Sequence, residues 1–439
     1  MQKLKNIYHL IQSLIANVRY GFPARKLTII GVTGTDGKTT TTTMLYHTLK
    51  ESGVKVGMIS TINAKIGDEE IDTGLHVTTP EPWDLPRLLR RMIREGITHV
   101  VIESTSSGLD QNRLFGVRYD AVTITNIGHD HIDYHGSWKK YAQAKYKIIE
   151  KTKDGGLVVL NYDHEESRDW LERKIENVQN KNIIWYSVDE LLDTNHSVDG
   201  ITFTFDDETY SIPLIGEYNF SNALGVIIIA RRYVAINKII NALKTFSAPL
   251  GRMQVMQTEP NAVIIDFAHT PSSLERALES IQKIRPTEQS AIWCIFGCAG
   301  QRDPDRRRMG LVSAKMADKT LITLEDPRTE DIVAINTEIA EHGEKGGGQV
   351  ITRFVSHEDF EKRNNEFNNL ENKAIISFDY PTIENRIDAI SFACKMAKPD
   401  DIVYITGKGH EESLAIGDPI VEYPYTDQDT VEAIITQDV

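Results

Sequence analysis

The stretch Thr33-Gly34-Thr35-Asp36-Gly37-Lys38-Thr39-Thr40 constrains this chain more than any other. The apolar run Leu27-Thr28-Ile29-Ile30 precedes it and reads as a buried parallel strand, and Thr41 to Lys50 follows and reads as a helix. Strand, glycine turn, helix is the context that gives such a loop a chemistry. Gly34 and Gly37 let backbone amides converge where a Cβ would intrude. Those amides and the helix N-terminus make a nest for phosphate oxygens. Lys38 then reaches the terminal phosphates, and the Thr39 hydroxyl faces a bound Mg2+. The strict spacing G-x-x-x-x-G-K-[ST] is missed by one residue, because Val32 stands where its first glycine belongs. A plain strand-to-helix turn with a surface lysine is the competing reading. The close succession of Lys38 and the threonines behind the glycines weighs against it.

A chain of 439 residues holds two or three domains. Residues 1 to 18 carry Leu4, Ile7, Tyr8, Ile11 and Leu14 at the spacing of one amphipathic helix. Arg19 to Arg25, with Gly21 and Pro23, is a connector. Beyond it strands (55–61, 98–103, 121–126, 156–161) alternate with helices (84–95, 137–150). This predicts a mostly parallel sheet with crossover helices, and ligands at the carboxyl ends of its strands. Residues 183–214 break the pattern. Two short runs around Asp206-Asp207-Glu208 predict an antiparallel hairpin on the domain edge. Helices near 220–232 and 239–246 lead to a hinge at 247–251. A second unit follows, with strands at 262–266, 291–296, 319–323, 373–378 and 401–406 and a flexible insertion at 343–348 before 349–355. The expected fold is α/β. Residues 1–24 form an N-terminal helix and connector, 25–247 a central P-loop ATPase-like domain with a mostly parallel sheet, and 248–439 a Rossmann-like α/β domain.

The formal charge of −14 argues against a dominant role on nucleic acid or on an anionic membrane, though not against a local basic pocket. Cys294, Cys298 and Cys394 are too few for a disulfide framework. No basic-then-apolar leader opens the sequence, and no run of about 18 apolar residues occurs in it. A cytoplasmic monomer is the expectation, with no nucleic-acid partner and no stable membrane insertion.

Glu103 ends one predicted strand, and Asn126, His129, Asp130, His131, Asp133 and His135 follow another. In a parallel sheet both sets can face the phosphate loop. Mg2+ takes hard oxygen ligands, which Thr39 and Glu103 supply, and His131 could complete a second ion site. Zinc is the alternative for so dense a His-Asp segment, and the absence of a nearby cysteine and the phosphate loop both count against it. Gln111 and Arg113, after Gly108, could hold an anionic substrate. In the second unit Asp266 ends a strand and is placed for a ribose hydroxyl or a metal-bound water. Three further polar loops follow strands: Gly297 to Asp303, Glu325-Asp326-Pro327-Arg328 and Gly407-Lys408-Gly409-His410-Glu411. Arg302 and Arg328 suit carboxylates and Glu411 suits an ammonium, which together describe an amino acid. Solvated polar turns are the bland alternative for each loop.

Taken together these motifs resemble the Mur ligase family, ATP-dependent enzymes that add amino acids to the peptide stem of peptidoglycan precursors. The family's Gly-Thr-Asn-Gly-Lys-Thr loop is here Gly34 to Thr39, and its missing first glycine is a family habit. Asn126 to Gly136 is similar to the family's Asn…Asp-His-Leu-Asp-Tyr-His-Gly segment. The resemblance spans residues 25 to 439. It implies nucleotide contacts from Gly34, Thr35, Gly37, Lys38, Thr39, Thr40, Asn219, Asn222, Arg252, Asp266 and His269. It implies metal ligation by Thr39, Glu103, His131 and Lys145, the last as a carbamate. It implies muramoyl-peptide contacts from Thr78, Thr79, Ser106, Gln111 and Arg113, and an amino-acid pocket from Arg302, Asp326, Arg328, Gly407 and Glu411.

Three departures accompany it. Residues 1–24 are too few to build the domain that holds the uridine nucleotide in the family's complete ligases. The motif Asp-Asn-Pro-Arg, linked to meso-diaminopimelate, appears as Glu325-Asp326-Pro327-Arg328. Ser107 replaces a histidine of the peptide-binding segment.

The implied function is addition of meso-diaminopimelate, or of L-lysine, to a UDP-N-acetylmuramoyl-L-Ala-D-Glu acceptor through an acyl phosphate, with ATP and Mg2+. Such a step serves cell-wall growth, and through it cell shape and division. Two alternatives stay open: the same chemistry on a polyglutamate or storage-peptide acceptor, and a non-catalytic nucleotide-binding partner of cell-wall assembly.

Overall fold

The structure, a computed structural model, describes residues 2–60, 63–71, 79–130, 132–367 and 370–437. The chain divides into two compact units. The first holds Met1–Thr194, Thr202–Ile212 and Tyr218–Phe246, and the second Asn195–Ile201, Pro213–Glu217 and Ser247–Val439.

Eight strands build the first unit's sheet: β1 (Thr28–Thr33), β2 (Val56–Ile59), β3 (Ala64–Ile66), β4 (Glu69–Ile71), β5 (His99–Glu103), β6 (Tyr119–Ile124), β7 (Thr152–Asn161) and β8 (Asn182–Tyr186). Their order is β4-β3-β2-β5-β1-β6-β7-β8. The β2–β3 and β3–β4 pairings are antiparallel and all the others parallel. β1 therefore lies mid-sheet, with Val32 beside Glu103 of β5 and Thr33 beside Ile124 of β6. The chain leaves β1 where the strand order reverses, the place at which an open parallel sheet presents a crevice. Leucine, isoleucine and valine of these strands pack with Leu85, Leu89 and Met92 of one helix and Tyr141 and Ile148 of another. Each such buried side chain contributes about 1.5–3 kcal/mol.

Three helices matter below: α1 (Gln2–Tyr20), α2 (Lys38–Glu51) and α3 (Asp84–Arg94). α1 forms as its spacing predicts, but the apolar residues Ile7, Tyr8, Ile11 and Leu14 face solvent.

Two expectations need correction here. The run at 182–186 does not leave the sheet pattern but pairs with β7 as its parallel edge strand, because Ile183 and Trp185 cover the core on one face. The hairpin forms, but within a separate three-stranded sheet of β9 (Leu192–Ser197), β10 (Gly200–Phe205) and β11 (Glu208–Ile212).

The second unit's sheet contains β12 (Gln254–Gln257), β13 (Ala262–Ile265), β14 (Ile292–Phe296), β15 (Lys319–Ile322), β16 (Gln349–Phe354), β17 (Ala374–Phe378) and β18 (Ile402–Ile405). The order is β12-β13-β18-β14-β15-β17-β16, parallel except at β12. Its strands read as unbroken apolar runs because both faces are covered. Ile292, Cys294 and Phe296 enter one core while Trp293 and Ile295 enter the other. A small ribbon, β19 (Ser413–Ile416) with β20 (Val421–Pro424), stands apart. The expected flexible insertion at 343–348 is instead packed. Gly343 lies within the helix Ile332–Lys345, and a Cβ there would stand 2.6 Å from Ile375 Cδ1. Glycine lets that helix approach β17 closely.

Candidate active site

The phosphate loop occupies the carboxyl end of β1. Gly37 caps α2 with φ 76°, a left-handed conformation that favours glycine. A Cβ on Gly37 would lie 2.4 Å from Asn222 Oδ1, and one on Gly34 would lie 1.8 Å from Thr125 Oγ1. Two residues after β6 fix the turn. Asn126 Oδ1 accepts from Thr35 N at 3.1 Å and from Asp36 N at 3.0 Å, and Thr125 Oγ1 donates to Asp36 O at 2.6 Å. Lys38 Nζ donates to Thr35 O at 2.8 Å. Thr40 follows in the first turn of α2. Asn222 Nδ2 donates to Asn219 Oδ1 at 2.9 Å, and Thr41 Oγ1 donates to Asn222 Oδ1 at 3.3 Å, so this pair braces the loop.

Thr39 Oγ1 stands 3.2 Å from each oxygen of the buried Glu103 carboxylate. A hydroxyl and a carboxylate at a helix N-terminus form an oxygen set suited to Mg2+, which keeps several waters and takes few protein ligands. These oxygens, beside a loop built for phosphates, fit Mg2+. His129 is exposed and lies against Glu166 at 3.0 Å. His131 and Thr78 lie outside the described residues.

Lys145 is the chief surprise of this unit. A bare sequence reads it as a surface lysine, yet it is buried on the helix Trp138–Glu150. Its Nζ donates to Gly34 O and lies 4.5 Å from the centre of the Tyr141 ring. Burial, and then the charge of Lys38, hold its pKa well below that of an ordinary lysine. Tyr141, which sequence reasoning did not single out, also reaches Thr35 Oγ1 at 3.0 Å.

Thr79, Gln111 and Arg113 come together in one hydrogen-bonded group, and Ser106 pairs with His135. Arg113 Nη1 donates to Thr79 O at 2.9 Å, and its Nε and Nη2 donate to Gln111 Oε1 at 2.9 and 2.6 Å. Gln111 Nε2 donates to Tyr134 OH at 2.9 Å, and Ser106 Oγ lies 3.1 Å from His135 Nε2. Tyr134 thus joins this group, and its neighbour His135 lies edge-on to its ring at 4.6 Å.

In the second unit Asp266 is buried and accepts from Met253 N at 3.1 Å, Ala268 N at 3.3 Å and Tyr404 OH at 2.9 Å. Its carboxylate thus ties β13 to its neighbours. Phe267, not anticipated from sequence, is a hub. The Arg252 guanidinium lies 4.7 Å from its ring centre, His269 4.6 Å and His410 4.9 Å. Burial lowers the pKa of His269, and burial together with Arg252 and Lys408 pushes that of His410 down to about 4.

The expected amino-acid pocket gathers around Lys408. This buried ammonium meets Asp326 Oδ1 at 2.9 Å and Glu411 Oε2 at 2.7 Å. Glu411, expected to await a substrate ammonium, therefore already holds one from the protein. Arg328 and Asp326 both adopt positive φ, at 54° and 35°. Arg328 Nη1 donates to Gly300 O at 2.6 Å, and Asp326 Oδ1 accepts from Ala415 N at 3.0 Å. Arg302 is exposed and bonds to none of these. Glu325 Oε2 is buried without a hydrogen-bond partner, at the position a Cβ on Gly407 would press to 2.3 Å. Burial pushes this carboxyl up to about 8, against the pull of Arg386 and Lys408.

Residues 32–230 match the Mur ligase middle domain, and residues 251–409 match the Mur ligase glutamate ligase domain. The UDP-N-acetylmuramoyl-L-alanyl-D-glutamate–2,6-diaminopimelate ligase of Bacillus cereus is 30% identical over 99% of this chain and 83% of its own length. Ligase 1 of the same description from Clostridium acetobutylicum is 31% identical over 92% of this chain and 77% of its own. A solved structure of such a diaminopimelate ligase superposes with a TM-score of 0.66 at 25% identity, covering 94% of this chain and 79% of that one. Escherichia coli FolC, solved with DHPP and ADP, shares the fold at a TM-score of 0.65 and 18% identity, covering 98% and 94%. Matched by both family domains in order and by diaminopimelate ligases along nearly its whole length, the chain belongs to the Mur ligase family of ATP-dependent ligases.

Proposed function

We propose that the chain joins meso-diaminopimelate to the D-Glu carboxylate of UDP-N-acetylmuramoyl-L-Ala-D-Glu, forming an amide at the expense of ATP. The observation that carries this reading is the Thr39–Glu103 pair beneath the Gly34–Lys38 loop, in a chain of which 99% aligns with 83% of a diaminopimelate ligase. Residues 25–247 serve ATP and the muramoyl peptide. Residues 248–439 serve the incoming amino acid, and 247–251 is the hinge between these roles.

A substrate carboxylate oxygen bonds to the γ-phosphorus, the bond from that phosphorus to the bridging oxygen breaks, and ADP leaves. The amine of the amino acid then bonds to the acyl carbon and inorganic phosphate leaves. The chain's share is placement and charge neutralisation. The loop amides and Lys38 hold the phosphates, with Thr35, Gly37 and Thr40 shaping the turn. Arg252 adds positive charge, and Asn219, Asn222, Asp266 and His269 shape the nucleotide's surroundings. Thr39, Glu103, His131 and Lys145 would hold Mg2+, which when bound neutralises phosphate charge. Lys145 acts there as a carbamate, its amine having added to CO2 with release of a proton. Burial lowers the pKa of its amine, and the neutral amine is the form that adds to CO2. Thr78, Thr79, Ser106, Gln111 and Arg113 orient the muramoyl peptide. Arg302, Asp326, Arg328, Gly407 and Glu411 orient the amino acid, and Arg328 suits its distal carboxylate.

Incubation of the purified protein with ATP, Mg2+, bicarbonate, the muramoyl dipeptide and diaminopimelate should yield the muramoyl tripeptide by mass spectrometry. Lys38→Ala should abolish it. Tripeptide formed at the parent rate by Lys38→Ala would refute the loop's role. Carbon-13 bicarbonate should label Lys145 and leave Lys145→Gln unlabelled.

A further inference from the structure

We infer that the outer face of α1 docks on an anionic lipid surface. An amphipathic helix ordinarily turns its apolar stripe to the core. α1 does the reverse. Asn6 Nδ2 donates to Asp110 O at 3.2 Å, Ser13 Oγ to Asn112 O at 3.0 Å, and Asn17 Nδ2 to Phe115 O at 3.0 Å, while His9 and Ala16 are buried between them. Its polar stripe is therefore what seats it on the unit. Ile7, Tyr8, Ile11, Leu14, Ile15 and Val18 form the opposite face, at 44–64% exposure. Six large apolar side chains on one helix face make a contiguous patch of the kind that marks an interaction surface.

Charge selects the occupant. The chain carries −14 overall, yet its first acidic residue is Asp36. Lys3, Lys5, Arg19, Arg25 and Lys26 all lie before it. α3, which packs against α1, adds Arg90 and Arg94, neither of them in an ion pair among the described residues. A second copy docked symmetrically would bring this basic segment against itself. A surface of anionic headgroups over acyl chains meets both the apolar stripe and the positive charge, with the helix lying in the interface plane. No helix among the described residues is long and apolar enough to cross a membrane, so the contact is peripheral. The segment before Asp36 carries five basic residues and no acidic one in a chain that is acidic overall, which favours approach to such a surface through this segment.

The test is co-flotation of the full chain with vesicles of phosphatidylcholine alone or mixed with phosphatidylglycerol. Binding is expected on the mixed vesicles, weak binding on the neutral ones, and release by salt. Ile11→Gln/Ile15→Gln should weaken partition at least about tenfold, since two exposed isoleucines lose their apolar contact. The thermal midpoint and ATP binding of that variant should be unchanged. Arg19→Glu/Lys26→Glu should weaken binding to mixed vesicles only. Failure to float with mixed vesicles would overturn the inference, as would undiminished flotation of Ile11→Gln/Ile15→Gln. A dimer in sedimentation that Ile11→Gln/Ile15→Gln dissociates would overturn it in favour of a second copy.

Discussion

Thr39 Oγ1 is equidistant, at 3.2 Å, from the two carboxylate oxygens of Glu103, which joins the first turn of α2 to the end of β5. The pairing follows from strand order, because β5 is the neighbour of β1 and Val32 is in register with Glu103. Glu103→Gln keeps an acceptor for Thr39 but removes the negative charge. Its kcat/KM should fall at least about a hundredfold, with partial recovery at high Mg2+. Steady-state phosphate release across a Mg2+ series measures this, and parent activity would exclude Glu103 from metal binding.

Gly37→Ala introduces a Cβ at φ 76° and 2.4 Å from Asn222 Oδ1. Strain and overpacking together should cost about 1–3 kcal/mol. ADP binding, measured by calorimetry, should be lost even in the folded fraction. A variant that keeps both stability and ADP affinity would contradict the loop geometry.

Glu325 gives a pH signature. Its carboxyl titrates at about 8 when folded, against an ordinary 4.5. Between those values the folded chain holds a proton that the unfolded chain has lost, so stability falls as pH rises through that window. Glu325→Gln mimics the neutral form. Its melting temperature should equal the parent's at about pH 4, below the unfolded value, and exceed it by a few degrees at about pH 8. Equal midpoints at both pH values would show that Glu325 is ionised in the fold.

Arg328→Ala should raise KM for diaminopimelate roughly 10–100-fold and leave kcat nearly unchanged, the expected loss of one charge-assisted contact. Initial rates with varied diaminopimelate and L-lysine measure it. An unchanged KM for both would remove Arg328 from the pocket.

The phosphate loop, Glu103 and the alternation of strands and helices were legible because each is a local pattern with one structural meaning. Glycine spacing specifies the turn, and unbroken apolar runs specify strands covered on both faces. What escaped depends on partners far away in sequence. Lys145 was marked only by the family resemblance, because by itself it looks like any helix lysine until Gly34 arrives over it. Lys408 meets Asp326 from another loop and Glu411 from its own, a pairing that sequence spacing does not specify, so Glu411 read alone appears free to take a substrate. The spacing of Ile7, Ile11 and Leu14 predicted the helix α1 but carried no sign of which face would be buried. Gly343 to Gly348 suggested mobility, whereas two of those glycines allow close packing on Ile375.

The most direct test is phosphate release from ATP with Mg2+, bicarbonate and UDP-N-acetylmuramoyl-L-Ala-D-Glu, varying the amino acid across meso-diaminopimelate, L-lysine and none. Release that requires both the muramoyl dipeptide and diaminopimelate is the expected result. Release with L-lysine alone would retain the reaction and refute the role given to Arg328. No release with either amino acid would contradict the proposed acceptor.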